Sequence, residues 1–218
     1  MTERGRLITF EGGEGAGKST QIRHLSTSLE AMGIDVVMTR EPGGTEGAEA
    51  IRALVTEGAS DRWSPLTETL LFLAARQDHV ERLIEPALAE GRWVLCDRFI
   101  DSTRVYQGLA GTLGLDLVDR LHKVIFERIT PDLTLLLDLP IEEGLDRRRA
   151  AGDVNRFDKM TTGFHEQVRQ GFLTLASREP GRFTVIDAAS LPEIVAGEIA
   201  KTVAQRFPSH ARTGGGRS

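Results

Sequence analysis

A glycine-rich stretch near the start of the chain constrains the fold more than any other feature of the sequence. Residues 7–20 read LITFEGGEGAGKST: a short run of apolar and β-branched residues, four glycines within six positions, and then a lysine followed by two hydroxyl residues. The spacing satisfies GxxxxGK[ST], a loop that follows a β-strand and opens a helix. We therefore predict strand, nucleotide phosphate-binding loop and helix, with the loop formed by Gly12, Gly13, Glu14, Gly15, Ala16, Gly17, Lys18, Ser19 and Thr20.

Each part of this loop has a chemical reason. Glycines let backbone N–H groups converge on phosphate oxygens, and the helix N-terminus adds the positive end of its dipole. Lys18 is placed to reach the β- and γ-phosphates, and Ser19 offers a hydroxyl to Mg²⁺. The alternative is a glycine-rich turn without a ligand, but such a turn does not explain a lysine and two hydroxyls at a helix start.

Strands alternate with helical segments along the chain. Apolar runs predict strands at 7–10, 34–39, 92–96, 133–139 and 182–186, and apolar residues at helical spacing predict helices at 18–31, 48–55, 65–90, 115–126, from 142, 164–177 and 191–207. The predicted order has two helical segments between the third and fourth strands, and only the second, 115–126, is given bounds. This order predicts an α/β fold of the P-loop NTPase type, in which helices flank a five-stranded parallel sheet.

An acid and an arginine, Asp97 and Arg98, directly follow the third predicted strand. The carboxyl ends of parallel strands meet at one edge of the sheet, where ligands bind. A carboxylate there can hold a metal and an arginine can bind phosphate with two hydrogen bonds. The competing interpretation is an ordinary surface turn after a strand.

Two further patterns leave alternatives open. Phe72, Arg76 and His79 share one stripe of a helix, which is typical either of a core aromatic with two surface polar residues or of a ligand-binding face. Arg52 lies on a different face from the apolar residues of its own helix, a position that is usually solvated.

Four arginines, at positions 147, 148, 149 and 156, flank a polar break that contains Gly152. Such a charge run fits a solvated face. It also fits a closing segment, because arginines can stabilise the charge that spreads over a transferring phosphoryl group, and a lid over the site excludes water.

Composition excludes several classes of protein. The net charge of −5 argues against a broad nucleic-acid surface, and no apolar run is long enough to cross a bilayer. The single cysteine, Cys96, cannot form an internal disulfide, which favours a reducing cytoplasm. The length suits one domain, residues 1–207, followed by a glycine-rich tail at 208–218 that we expect to be disordered.

In this order and spacing, five motifs resemble the thymidylate kinase family. They are FEGGEGAGKST, TREPGGT, LLFLAARQDH, VLCDRFIDST with YQG, and NRFD, and the resemblance runs from about Leu7 to Ala188. It implies a nucleoside monophosphate kinase-like fold with a short lid at about 147–160. It further implies ATP-dependent phosphorylation of dTMP to dTDP in dTTP biosynthesis, with Mg²⁺, in a homodimer.

The resemblance also assigns roles on the phosphate side of the site. Glu14 matches the family's carboxylate near the nucleotide 3′-hydroxyl, and Arg52 and Arg98 match arginines that hold the acceptor phosphate. Asp97 matches the acid that organises Mg²⁺ and its waters. With Lys18 and the lid arginines, Asp97 and Arg98 form the implied catalytic set.

On the base side, Phe72 matches the aromatic residue that stacks on thymine, and Arg76 matches a donor to the O4 edge of the base. Thr103 and Gln107 match positions that line the base. Tyr106 matches the tyrosine that crowds the 2′ side of the sugar and disfavours ribonucleotides.

The lid assignment follows from Gly15, which stands where some relatives place a catalytic arginine in the loop. In the alternative bacterial arrangement the lid supplies it, and here the candidates are, in order, Arg149, Arg147 and Arg156. Two departures are the lid ending NRFD where relatives often read DRxE, and Phe172 where a tyrosine is common.

Two other functions remain as alternatives. A deoxynucleoside kinase uses a similar acid–arginine pair but acts on an uncharged hydroxyl, whereas Glu14, Arg52, Arg76 and Arg98 favour a charged acceptor. A nucleotide-dependent switch requires a guanine-reading NKxD element, which the sequence lacks.

Overall fold

A parallel sheet of five strands forms the centre of the protein in the computed structural model, which describes residues 3–59, 61–126, 129–151, 157 and 160–208. The strands are β1 (Leu7–Glu11), β2 (Val36–Arg40), β3 (Trp93–Asp97), β4 (Leu133–Asp138) and β5 (Phe183–Asp187). Their spatial order is β2-β3-β1-β4-β5, and all neighbours pair in parallel. The predicted fold class is confirmed.

Helices connect the strands and cover both faces of the sheet. In the described residues they are α1 (Lys18–Ala31), α2 (Glu46–Thr56), α3 (Pro65–His79), α4 (Glu85–Ala89), α5 (Ile100–Thr103), α6 (Leu115–Ile125), α7 (Ile141–Ala151), α8 (Thr162–Arg178) and α9 (Pro192–Arg206). None of them is long and apolar enough to span a bilayer.

Hydroxyl side chains fix the starts of three helices. Thr45 accepts from the backbone N–H of Ala48 at the start of α2, and Ser64 accepts from Thr67 at the start of α3. Thr161 does the same for α8. Each hydroxyl satisfies a backbone donor that has no partner inside its own helix, so these starts are encoded locally in the sequence.

The two faces of the sheet carry separate apolar cores. On one face Ile8 and Phe10 of β1 pack with α1 and α9 through residues such as Leu25 and Ile199. On the other face Leu7 packs with Leu73 of α3 and with apolar residues of the helical segments that follow α3. This division follows from the alternation of side chains along a strand. All five residues of β1 are buried between these cores, and its carboxyl end leads directly into the phosphate-binding loop.

Two parts of the chain differ from the sequence-based expectation. The long predicted helix at 65–90 contains a π-helical segment, Val80–Ile84, between α3 and α4. This wider turn lies just before Pro86, which has no N–H to donate to the preceding turn. Residues 99–111, for which the sequence gives no helix bounds, contain α5 and a second π-helical segment, Arg104–Leu109. We refer to residues 100–109 as the base-side helix.

Candidate active site

The phosphate-binding loop leaves the central strand β1 and enters α1 as the sequence predicts. Gly12, Gly15 and Gly17 have φ angles of 137°, 71° and 86°, a region that favours glycine. The Lys18 side chain donates to the carbonyl oxygens of Gly12 at 3.2 Å and Gly13 at 2.8 Å. Burial and the nearby guanidinium of Arg98 lower the pKa of Lys18. The ammonium group is thus held against the loop whose phosphate ligand it is predicted to bind.

The predicted metal pair meets at the carboxyl edge of the sheet. Ser19 Oγ donates to Asp97 Oδ2 at 2.7 Å, although 78 residues separate the two in sequence. Hydroxyl and carboxylate oxygens are ligands that Mg²⁺ accepts, and Mg²⁺ usually completes its shell with waters and substrate phosphates. The described residues contain no cluster of three or more His, Cys, Asp or Glu that could hold a metal. The hydroxyl of Ser19 and the carboxylate of Asp97 are the residues here that could hold such an ion.

Arg98 joins the third strand to the phosphate loop. Its Nη1 donates to Gly12 O at 3.2 Å and to Ser102 Oγ at 3.1 Å, and its Nη2 donates to Glu14 Oε1 at 2.8 Å. Its backbone φ is 67°, and in the described residues it is the one non-glycine with a positive φ. Such backbone strain is typical of functional sites where the surrounding structure holds the residue in place.

Glu11, at the end of β1, supplies part of that hold. Its carboxylate accepts from the backbone N–H groups of Phe99 at 2.8 Å and Ser102 at 3.2 Å, and from Ser102 Oγ at 2.7 Å. Burial, assisted by the nearby carboxylate of Asp101, raises the pKa of Glu11 to about 7. Sequence analysis missed Glu11, whose signal was an acid at the end of an otherwise apolar buried strand.

Glu14 lies between two predicted substrate-side residues. It accepts from Arg98 and, at 3.1 Å, from the hydroxyl of Tyr106. Burial would raise its pKa, but the positive charges of Arg98 and Lys18 prevail and lower it to about 2. Burial raises the pKa of the Tyr106 hydroxyl, which keeps it a donor. Glu14 is therefore a fixed, ionised acceptor beside the loop.

Arg76 is buried, with a side chain only 2% exposed, so the interpretation of Arg76 and His79 as surface residues is wrong. Arg76 Nε donates to Glu41 Oε2 at 2.6 Å, and its Nη2 donates to Phe99 O at 2.9 Å and Thr103 Oγ1 at 3.0 Å. The ring of His79 contacts the other oxygen of Glu41 at 3.0 Å. The buried carboxylate of Glu41 compensates the charge that would otherwise keep Arg76 at the surface.

One cleft of about 490 Å³ brings most of the predicted residues together. It is lined by the loop residues 14–20, by Asp97 and Arg98, by Arg52, Phe72, Arg76, Thr103, Tyr106 and Gln107, and by Arg147, Arg148 and Phe157. Gly12 and Gly13 line a small adjacent cavity instead. Arg52 faces the cleft while its Nη1 donates to Pro42 O at 2.7 Å.

The lid arginines divide differently from the sequence-based order. Arg147 and Arg148 line the cleft, and Arg147 donates to Ala188 O at 3.2 Å. Arg149 is 73% exposed and donates to Asp146 at 2.6 Å, away from the cleft. Arg156 lies outside the described residues. The role given to Arg149 and Arg156 stays a prediction, while Arg148, which sequence analysis passed over, belongs to the cleft.

A contact between two glycines sets which arginines of α7 face the cleft. A Cβ atom on Gly15 would lie 2.0 Å from Gly144 O, and one on Gly144 would lie 2.4 Å from Glu14 O. Because residues three and four positions apart share a helix face, Arg147 and Arg148 follow Gly144 toward the loop. The same approach leaves no room for an arginine at position 15, consistent with its glycine.

Comparison with known proteins gives one consistent result. A family model described as thymidylate kinase matches residues 10–199. The chain is 54% identical over 207 residues to a thymidylate kinase of Caulobacter vibrioides, covering 95% of this chain and 99% of that protein. It is 49% identical to one of Rhizorhabdus wittichii, covering 94% and 99%. Among solved structures, thymidylate kinase from Ehrlichia chaffeensis superposes with a TM-score of 0.76 at 34% identity, covering 92% of this chain and 99% of that one.

Proposed function

The chain belongs to the thymidylate kinase family and phosphorylates dTMP to dTDP, and for this reaction we propose that Arg98 holds the acceptor phosphate. The supporting observation is that one guanidinium contacts both the loop carbonyl of Gly12 and the carboxylate of Glu14 at the floor of the cleft. Arg52, on the same cleft, is the second proposed ligand of that phosphate. The family implies ATP as the co-substrate, bound by the loop.

The proposed reaction needs no strong general base. The acceptor is already a phosphate oxyanion, so catalysis consists of placing it in line with the γ-phosphate and neutralising the charge between the two groups. Arg98 and Lys18 provide positive charge from the floor of the cleft, and Arg147 and Arg148 provide it from α7. A Mg²⁺ ion held by Ser19 and Asp97 would neutralise further phosphate charge.

On the base side, we propose that Phe72 stacks on thymine and that Arg76 donates to its O4. Phe72 and Arg76 line the cleft, and the Nη1 atom of Arg76 is buried without a hydrogen-bond partner among the described residues. A buried, unsatisfied donor is costly unless a ligand pairs with it. Thr103 and Gln107 line the base, and Tyr106 lies beside Glu14, where it would crowd a ribose 2′-hydroxyl.

We propose that residues 1–207 act as one kinase domain whose segment at about 147–160 closes over the site, and that the enzyme is a cytoplasmic homodimer. Leu66 and Leu70 of α3 are 44% and 46% exposed, and Val124 of α6 is 84% exposed, which gives helix surfaces suited to a second copy. Sedimentation velocity over a range of protein concentrations tests the dimer, and a monomer at every concentration would contradict it.

An acceptor panel tests the proposed substrate contacts. ADP release is measured with ATP and Mg²⁺ against dTMP, dUMP, dCMP, AMP, GMP and thymidine. We expect turnover with dTMP well above the others and little ATP hydrolysis without an acceptor. Preference for thymidine would indicate an uncharged acceptor, and preference for a purine monophosphate would overturn the base-side assignments. Omission of Mg²⁺ should abolish the activity.

A further inference from the structure

Two contacts join α3 to the base-side helix, one on each side of Phe72. Arg76 Nη2 donates to Thr103 Oγ1 at 3.0 Å, and Gln107 Nε2 donates to Glu68 Oε1 at 2.9 Å. Positions 68, 72 and 76 are four residues apart, as are 103 and 107, so each set lies along one helix face. The ring proposed to stack on the base is therefore one turn from each contact.

The Glu68 contact fixes which end of the Gln107 amide faces the cleft. A carboxylate accepts hydrogen bonds and donates none, so only the amide nitrogen of Gln107 can face it. The amide oxygen must then point away from Glu68. Gln107 is 6% exposed and lines the cleft, whereas Glu68 does not line it. No described residue donates a hydrogen bond to Gln107 Oε1, so this acceptor remains for a ligand.

The hydrogen bonds of Arg76 likewise leave one of its N–H donors without a partner. Its Nε and Nη2 are occupied by Glu41, Phe99 O and Thr103, and its Nη1 is buried without a partner among the described residues. The guanidinium cannot rotate to hide this group without breaking those bonds. The base end of the cleft thus offers one fixed donor and one fixed acceptor.

This pattern matches one class of pyrimidine. A 4-oxo-pyrimidine such as thymine or uracil presents the O4 acceptor beside the N3–H donor, whereas cytosine presents an amino donor beside the N3 acceptor. We propose that Glu68 is a positioning residue for base specificity: by locking the Gln107 amide, it makes the site read O4 and N3–H and reject 4-amino-pyrimidines. The proposal rests on the base-side assignments made above.

Replacement of Glu68 by glutamine tests the lock. Glutamine can donate as well as accept, so the Gln107 amide can turn over and lose its fixed direction. We expect kcat/KM for dTMP to fall about tenfold, the scale of one hydrogen bond. kcat/KM for dUMP should fall by the same factor, because uracil presents the same O4 acceptor and N3–H donor as thymine. kcat/KM for dCMP should not fall, so the preference for dTMP over dCMP narrows about tenfold.

A double-mutant cycle separates positioning from simple structural damage. In a Gln107→Met background the acceptor is already gone, so Glu68→Gln should change the dTMP/dCMP ratio by less than twofold. Glu81→Gln, an exposed carboxylate in the following helical segment, is the matched control and should change nothing. Glu68→Ala serves as the second variant if the first fails to fold.

The outcomes distinguish this proposal from the one on which it rests. An unchanged dTMP/dCMP ratio in Glu68→Gln, or an equal loss in the Gln107→Met background, overturns the positioning role while wild-type selectivity stands. A wild-type enzyme that does not prefer dTMP to dCMP overturns the base-side assignments themselves.

Discussion

Replacement of Glu41 by alanine tests whether the buried carboxylate holds the base side of the site together. Glu41 is 4% exposed and pairs with Arg76 Nε at 2.6 Å and His79 Nδ1 at 3.0 Å. Both partners are at most 2% exposed. Without Glu41, Arg76 keeps Phe99 O and Thr103 but has no opposite charge bonded to it.

The size of the effect follows from burial. Removing one partner of a buried ion pair costs about 3–5 kcal/mol, because the remaining charge is left uncompensated. For a chain of this length, 1 kcal/mol corresponds to about 2–4 °C in Tm, so we expect Tm to fall by about 6–20 °C. A displaced Arg76 should also raise KM for dTMP about tenfold or more, with a smaller change in kcat, since the base contact proposed for it would be made in ground and transition states alike.

Urea unfolding and calorimetry of the wild type and Glu41→Ala measure the first quantity, and initial rates over a range of dTMP concentrations measure the second. The control is Asp35→Ala, whose carboxylate is 71% exposed and pairs with Arg92 at 3.2 Å. An exposed pair of this kind contributes about 0–1 kcal/mol. A loss below about 1 kcal/mol in Glu41→Ala, or a loss equal to that of the control, would refute the reasoning.

Three further predictions concern the loop and its support. Arg98→Ala should lower kcat/KM for dTMP about a hundredfold, the scale for a preorganised charged donor, and steady-state rates near wild type would reject the assignment. Because burial raises the pKa of Glu11 to about 7 from an ordinary 4.5, the folded state binds a proton that the unfolded state loses first, so stability should fall as pH rises between those values. Glu11→Gln should remove the difference in free energy of unfolding between pH 5 and pH 8, measured by urea unfolding. If the difference persists in this variant, a group other than Glu11 causes it. Gly15→Ala should lower the free energy of unfolding by about 2–4 kcal/mol, because of the left-handed backbone and the overlap with Gly144. The control Gly163→Ala, which lies in open space on α8, should not lower it. Equal melting temperatures of the two variants would contradict this prediction.

The sequence predicts local structure well where one short segment carries the whole signal. The strand, loop and helix at 7–31 needed only hydrophobic pattern and glycine spacing, and the observed α1 has the predicted bounds. The proximity of Ser19 to Asp97 could also be predicted from the sequence, because the carboxyl ends of parallel strands lie at one edge of the sheet.

Features that depend on distant partners were not predictable in the same way. The burial of Arg76 depends on a carboxylate 35 residues away, and residue tendencies alone favour the surface. Arg147 and Arg148, rather than Arg149, face the cleft because of the orientation of α7 about its own axis. The contact of Gly144 with the loop sets that orientation. The bounds of the base-side helix could not be predicted, because its second part is π-helical and its pattern does not follow a 3.6-residue period.

The close approach of Gly15 and Gly144 also limits how this enzyme can evolve. A side chain at either position meets the backbone of the other segment, so neither can accept one while the other segment stays in place. The two glycines therefore form an epistatic pair. A lineage in which the arginine proposed to act from α7 moved into the loop would have to reposition α7 at the same time. Single substitutions along that route pass through an enzyme with a damaged loop, which favours the persistence of one arrangement within a lineage.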